Sequence, residues 1–199
     1  MELVISTATA ACSVALIDGD RIIAELHDVV GRGHAERLVP MIEALPDHGR
    51  ADAILVDCGP GSFTGVRVGL AAARGLALAW GVPLTGCSTL ALIAAAVPDA
   101  ASLAVAIHGG HGEFFVQTFA RAPLAPVAAL ASLPPAAAAE RIGCEIIAGS
   151  AASELLALRG HGQAHDILPR AADARLLPPA LRNLAPTPIY GRAPDAKAP

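Results

Sequence analysis

Three β-rich runs, residues 2–8, 12–18 and 21–30, follow one another with only short turns between them, the second closed by Asp18-Gly19-Asp20. Parallel neighbours need a crossover of about a dozen residues or more, so runs joined this tightly must form an antiparallel meander. Gly31-Arg32-Gly33 breaks the pattern, and residues 34–45 read as a helix with Leu38, Ile42 and Leu45 on one face. Pro40 lies inside it, where it removes a backbone bond and should bend the axis. A short apolar strand at 53–57 leads through a glycine-rich turn into a helix ending at Trp80, followed by a strand at 83–87 and a helix at 89–97. The order β-β-β-α-β-α-β-α predicts a mixed sheet with helices packed on it.

After Pro98-Asp99, residues 102–108 and 113–120 read as a hairpin across Gly109-Gly110-His111-Gly112. An Ala/Pro-rich stretch at 125–139 is at best partly helical; a strand at 145–148 and a helix at 150–158 follow. Beyond Gly160 proline and arginine are frequent and the periodicity fades. The second half thus reads as a shortened echo of the first, dividing the chain into lobes at 1–98 and 99–199, the latter ending in a tail. Aromatic residues are only 3% of the 199, and much of the 54% hydrophobic content is alanine, which favours tight α/β layers over a large aromatic pocket.

The formal net charge of −4 shows no basic excess, so nucleic acid is expected to be held through a partner. The N-terminus has no basic leader, and no uninterrupted apolar run reaches the ~18 residues of a membrane span. The four cysteines, Cys12, Cys58, Cys87 and Cys144, lack metal or redox spacing and read as buried hydrophobes in a reducing compartment. A cytoplasmic location is expected.

In the turn after residue 57, Gly59, Gly61, Ser62, Thr64 and Gly65 are candidates for a phosphate-binding loop, because a helix N-terminus behind glycines presents unpaired N–H groups. The lysine of a Walker loop and the dinucleotide glycine spacing are both lacking, so a tight turn capped by Ser62 is the simpler reading. The helix carries two stripes: Val66, Leu70, Ala73, Ala77 and Trp80, and the smaller Gly65, Gly69, Ala72, Leu76 and Ala79; Arg67 and Arg74 share a third line. A helix apolar over most of its circumference is covered on more than one side. Either both stripes pack within the chain, or one faces the sheet and the small one admits a second protein.

Catalytic residues are few. Position 6, in the first hairpin, carries serine where ATP-binding two-lobed folds place a metal-organising aspartate. Asp18, Asp20, Asp52 and Asp57 form no acid pair at a catalytic spacing, and His108 and His111 lie on a turn without a third metal ligand. No metal site is expected.

The blocks GPGSFTGVRVGLAAARGLA and PLTGCSTL, with HAERLVPMIEAL, TATAACSVALIDGD and PIYGRAPDAK, strongly resemble the TsaB (YeaZ) family, whose members serve in making N6-threonylcarbamoyladenosine at position 37 of tRNAs reading codons that begin with A. The resemblance is dense over 1–97, thin over 121–185, and returns at 188–197. It implies an α/β actin/hexokinase-like (ASKHA) fold with a shortened second lobe and no catalysis by this chain alone. It also implies pairing with a catalytic TsaD-like subunit, beside a TsaE-like ATPase, with tRNA reached through the complex. The family's first two helices make that pairing. The expected contacts here are His34, Arg37, Leu38, Met41, Ile42 and Leu45 on one helix, and Val66, Gly69, Leu70, Ala72, Ala73 and Leu76 on the other. Without the partner, the same apolar face predicts a homodimer. No cofactor is required by this chain, ATP or ADP with Mg²⁺ being expected, if anywhere, at the interface of the complex.

The chain departs from the family at Ser6, which replaces aspartate; at 108–110, where Asp-Ala-Arg is usual; and at 190–192, where Gly191 replaces leucine. The alternative is a self-sufficient ASKHA nucleotide hydrolase or glycoprotease-like peptidase, resting on the glycine-rich turn and Ser62.

Overall fold

The structure, a computed structural model, describes residues 1–97 and 101–191. The lobe boundary at Pro98-Asp99, Arg192 and the end of the C-terminal block lie outside the described residues.

The tight turns make the expected meander. Strands β1 (Glu2–Ser6), β2 (Ala11–Asp18) and β3 (Arg21–Val29) pair antiparallel, with Ile5 opposite Val14 and Ala11 opposite Val29. Helix α1 (His34–Glu43) then crosses to β4 (Ala53–Asp57), which joins β1 in parallel, and α2 (Phe63–Trp80) crosses to β5 (Leu84–Cys87). The sheet order is β3-β2-β1-β4-β5. Two ends fall earlier than the sequence suggests. β1 stops at Ser6 because Thr7 turns its hydroxyl to the Gly65 carbonyl, at 2.7 Å. α1 stops at Glu43, and a 3-10 turn over Pro46–Gly49 takes up the chain.

Helix α3 (Thr89–Ala96) is apolar all round after Thr89 and every residue through Ala95 is buried, because it lies between two sheets. The second sheet repeats the first. β6 (Ser102–His108) and β7 (Phe114–Arg121) form the hairpin. The 125–139 stretch resolves into β8 (Leu124–Pro126) and β9 (Ala131–Leu133), both on β7, and α4 (Pro135–Arg141). β10 (Ile146–Ala148) joins β6 in parallel, and α5 (Ala152–Arg159) leads to β11 (Gln163–His165), a strand the sequence did not reveal. The order β11-β10-β6-β7-β8 is the first sheet's order again, with its third strand in two pieces.

Strand alternation sends side chains to separate cores. Leu3 and Ile5 meet α1 and α2, while Val4 faces the inter-sheet core with α3, Val105 and Ile107. Ala104 and Ala106 face outward to α4 and α5. The layers therefore run helices, sheet, α3, sheet, helices.

Residues 168–191 do not stay with the second sheet. They return across the first as a strap. The Ala171 amide donates to the buried Ser13 hydroxyl at 2.9 Å, Arg170 pairs with Glu25 at 2.7 Å, and Arg182 pairs with Glu2. Leu184 bridges Gly86, and the Ile189 amide donates to the Cys58 carbonyl at 2.8 Å. Ala171, Ala172, Ala174 and Leu177 complete the core between the sheets.

Candidate functional site

The glycine-rich turn is built against the first hairpin. A Cβ at Gly61 would overlap the Ala8 carbonyl, one at Gly65 would overlap the Thr7 carbonyl, and one at Gly69 would stand 2.5 Å from Thr7 Oγ1. The Ser62 amide donates to the Ala8 carbonyl at 2.7 Å, and its hydroxyl accepts from the Gly65 amide at 3.2 Å as the cap of α2. Of the five candidate phosphate-loop residues, Gly61 and Gly65 are thus turned to the chain's own backbone and Ser62 serves the cap. Gly59 holds a positive φ of 95° and accepts from the Thr89 amide, while Thr64 is exposed on the first turn.

Behind the turn lies a group the sequence does not bring together. Asp57 is fully buried and accepts from Ser6 Oγ at 2.7 Å, Thr89 Oγ1 at 2.6 Å and the Gly59 amide at 2.9 Å. Burial pushes its carboxyl up, and the bonds from Thr89, Gly59 and Ser6 draw it back. The serine at position 6 is therefore the donor that a buried Asp57 needs. An aspartate there would set a second carboxylate against the first.

Between the lobes a cavity of about 870 Å³ is lined by the turn, the two hairpin ends and the strap. Its walls include Val66, Ile107, Phe115 and Ile189, with Ser62, Ser150 and Tyr190 as polar points. Arg67 lies among the lining, its guanidinium 3.1 Å from the centre of the Phe63 ring and donating to Tyr190 Oη at 2.7 Å. Among the described residues no carboxylate lines it. His108, at the rim, meets Glu154 at 3.1 Å and Ser150 at 3.3 Å, so its turn is tied to α5 rather than merely solvated. Among the described residues no three His, Cys, Asp or Glu gather as metal ligands.

These residues do not fit a metal-bound nucleotide. Mg²⁺ is held through carboxylates and phosphates, and the acid nearest the turn is sealed behind it. The Ser62 and Gly65 amides already have acceptors within the chain.

The two helices turn most of the expected docking residues inward. Of the twelve, His34, Leu38, Met41, Ile42 and Leu45, with Val66, Gly69, Leu70 and Ala73, are buried in the chain's own core. Arg37 is exposed and paired with Asp28, and Ala72 and Leu76 are half-buried. At its N-terminal end the small stripe admits the β1–β2 hairpin, where Thr7 fills the space beside Gly65 and Gly69, while Ala72 and Leu76 are half-buried and Ala79 is exposed. The arginine line also serves the chain itself, since Arg67 holds Tyr190 and Arg74 donates to the Pro186 carbonyl at 2.7 Å.

A different line of α2 faces outward. Thr64, Ala71, Gly75 and Ala79 are exposed with Val68 half-buried, and none carries charge. Leu78 beside it is 86% exposed, and Val39 on α1 is 59% exposed. Gly75 has no conformational reason to be glycine. It lies inside the helix, and a Cβ there would meet nothing within 4 Å.

Two sheets of one repeated strand order, packed on either side of α3 with a cavity between the lobes, define the two-lobed ASKHA class, here with a reduced second lobe. Residues 26–124 match the family model described as TsaD: tRNA N6-adenosine threonylcarbamoyltransferase. The structure of YeaZ from Pseudomonas aeruginosa superposes with a TM-score of 0.71 at 32% identity, over 86% of this chain and 87% of that one. A second structure, of an uncharacterized protein with similarity to peptidase YEAZ from Pseudomonas aeruginosa, gives a TM-score of 0.74 at 31% identity over the same shares. The tRNA threonylcarbamoyladenosine biosynthesis protein TsaB of Escherichia coli K12 is 42% identical over 97 residues, 46% of this chain and 42% of that protein. The chain belongs to the TsaB/YeaZ family. Its match spans less than half the length of that curated relative.

At Gly191, where the family usually carries leucine, the Phe115 ring occupies the space that a Cβ would need.

Proposed function

We propose that this chain is a non-catalytic partner subunit in the formation of N6-threonylcarbamoyladenosine at position 37 of tRNA, binding a TsaD-type catalytic subunit through the outward faces of α1 and α2. Gly75 carries this reading. An exposed glycine inside a helix costs roughly 1 kcal/mol relative to alanine, and nothing among the described residues requires it. Close approach of another protein's backbone along Thr64, Val68, Ala71 and Gly75 would require it. The cleft agrees, having no exposed carboxylate among the described lining residues to serve as a general base or metal ligand. Ser62, the support for a hydrolase reading, caps the helix.

A TsaE-type ATPase completes the machinery, tRNA is reached through the complex, and any ATP or ADP with Mg²⁺ belongs to its interface. Alone, the chain pairs with a second copy over the same face. It works in the cytoplasm; no described helix is long and apolar enough to cross a membrane.

The test is reconstitution of tRNA threonylcarbamoylation with and without the chain, beside co-purification with its TsaD-type partner. The modification should require the chain, and Ala71→Glu, on the exposed line, should abolish both association and modification. A folded Ala71→Glu protein that co-purifies normally would place the interface elsewhere.

A further inference from the structure

The cavity between the lobes has a chemistry of its own, independent of any docking. Its volume of about 870 Å³ lies within the range of small-molecule clefts. The wall is largely apolar, built from Val66, Ile107, Phe115 and Ile189. Arg67 is the permanent cation among the described lining residues, and no carboxylate accompanies it. A polyphosphate with its metal would find no carboxylate among the described lining residues, and the Ser62 and Gly65 amides of the turn are already taken. A single anionic head is different. The guanidinium is planar and carries five donors, matching a carboxylate, sulfonate or phosphate two at a time. Two donors are engaged by the Phe63 carbonyl at 3.3 Å and by Tyr190 Oη at 2.7 Å. The flat body of such a ligand would lie along the apolar wall. We propose that the cleft binds an aromatic molecule bearing one anionic head, held by Arg67 without a divalent cation.

The dye 1-anilinonaphthalene-8-sulfonate has this chemistry and reports its own binding by fluorescence. It is titrated into the isolated chain in EDTA and again in excess Mg²⁺. Saturable one-to-one binding, equal in the two conditions, is expected. Gly110 lines the cavity and a Cβ there would meet nothing within 4 Å, so Gly110→Trp should fill the cleft without displacing backbone and abolish binding. Arg67→Ala should weaken binding about tenfold or more. Tyr190→Phe removes the hydroxyl that occupies the guanidinium and should bind as tightly as the parent or tighter. Melting temperatures establish that each variant is folded.

Binding that survives Gly110→Trp would place the dye on another surface and overturn the proposal. So would a requirement for Mg²⁺. A loss in Tyr190→Phe equal to that in Arg67→Ala would show that the arginine only shapes the strap.

Discussion

Three glycines of α2 take the same substitution in opposite directions. At Gly75 the helix is exposed and a Cβ meets nothing within 4 Å, so Gly75→Ala only restricts the unfolded chain and adds helix propensity. The expected gain is about 0.5–1 kcal/mol, which raises the melting temperature of a chain this size by roughly 1–4 °C. Ten residues earlier, Gly65→Ala drives its methyl into the Thr7 carbonyl and disturbs the 2.7 Å bond from Thr7 Oγ1 to the Gly65 carbonyl. The obstacle is backbone and cannot rotate away, so a loss of about 1–3 kcal/mol is expected, as for other overpacked sites. Gly69→Ala falls between, because its obstacle is the Thr7 hydroxyl, at 2.5 Å. Urea unfolding followed by circular dichroism measures all three. The decisive comparison adds the partner: Gly75→Ala should be more stable and yet bind the TsaD-type subunit more weakly. If Gly75→Ala destabilises the chain, the open environment assigned to it is refuted. If it stabilises the chain and leaves binding unchanged, the glycine has no interface role.

Asp57→Asn should flatten a pH dependence. The native carboxyl titrates above its unfolded value of 3.8, so the folded state binds more protons and stability falls as pH rises from about 4 through the elevated native value. The melting temperature of the parent relative to Asp57→Asn should decline over that interval, and a constant difference would show that Asp57 does not change charge there. Burial pushes the thiols of Cys12 and Cys58 up to about 11 and about 12, and that of Cys87 higher than its usual value, so a thiol reagent at pH 8 should label the half-buried Cys144 first and all four cysteines only after denaturation. Ser13→Ala leaves the buried Ala171 amide without its acceptor and should cost about 1–3 kcal/mol in urea unfolding.

The first sheet was legible because its signals are local. Alternation marks β1 and β2, and turn lengths fix which strands are antiparallel. The second sheet was half legible, since β8, β9 and β11 are each three residues long and too short for any period to show. Periodicity found the stripes of α2 but could not say what covers each one. That answer depends on Thr7 and Pro186, 58 and 112 residues from their partners on the helix. Ser6 and Asp57 are 51 residues apart, so the serine looked like a lost metal ligand when it is the partner of a buried acid.

The strap gives the molecule an order of assembly. Ser13 waits for an amide 158 residues further on, Glu25 for an arginine 145 residues on, and Glu2 for one 180 residues on. During synthesis the N-terminal lobe therefore emerges with its inter-sheet surface uncovered. Its helices and meander form early from local contacts, whereas the face beneath α3 closes only once residues 168–191 have left the ribosome. A chain stopped before residue 168 should present that face to proteases, since Ala171, Ala172, Ala174 and Leu177 are what covers it.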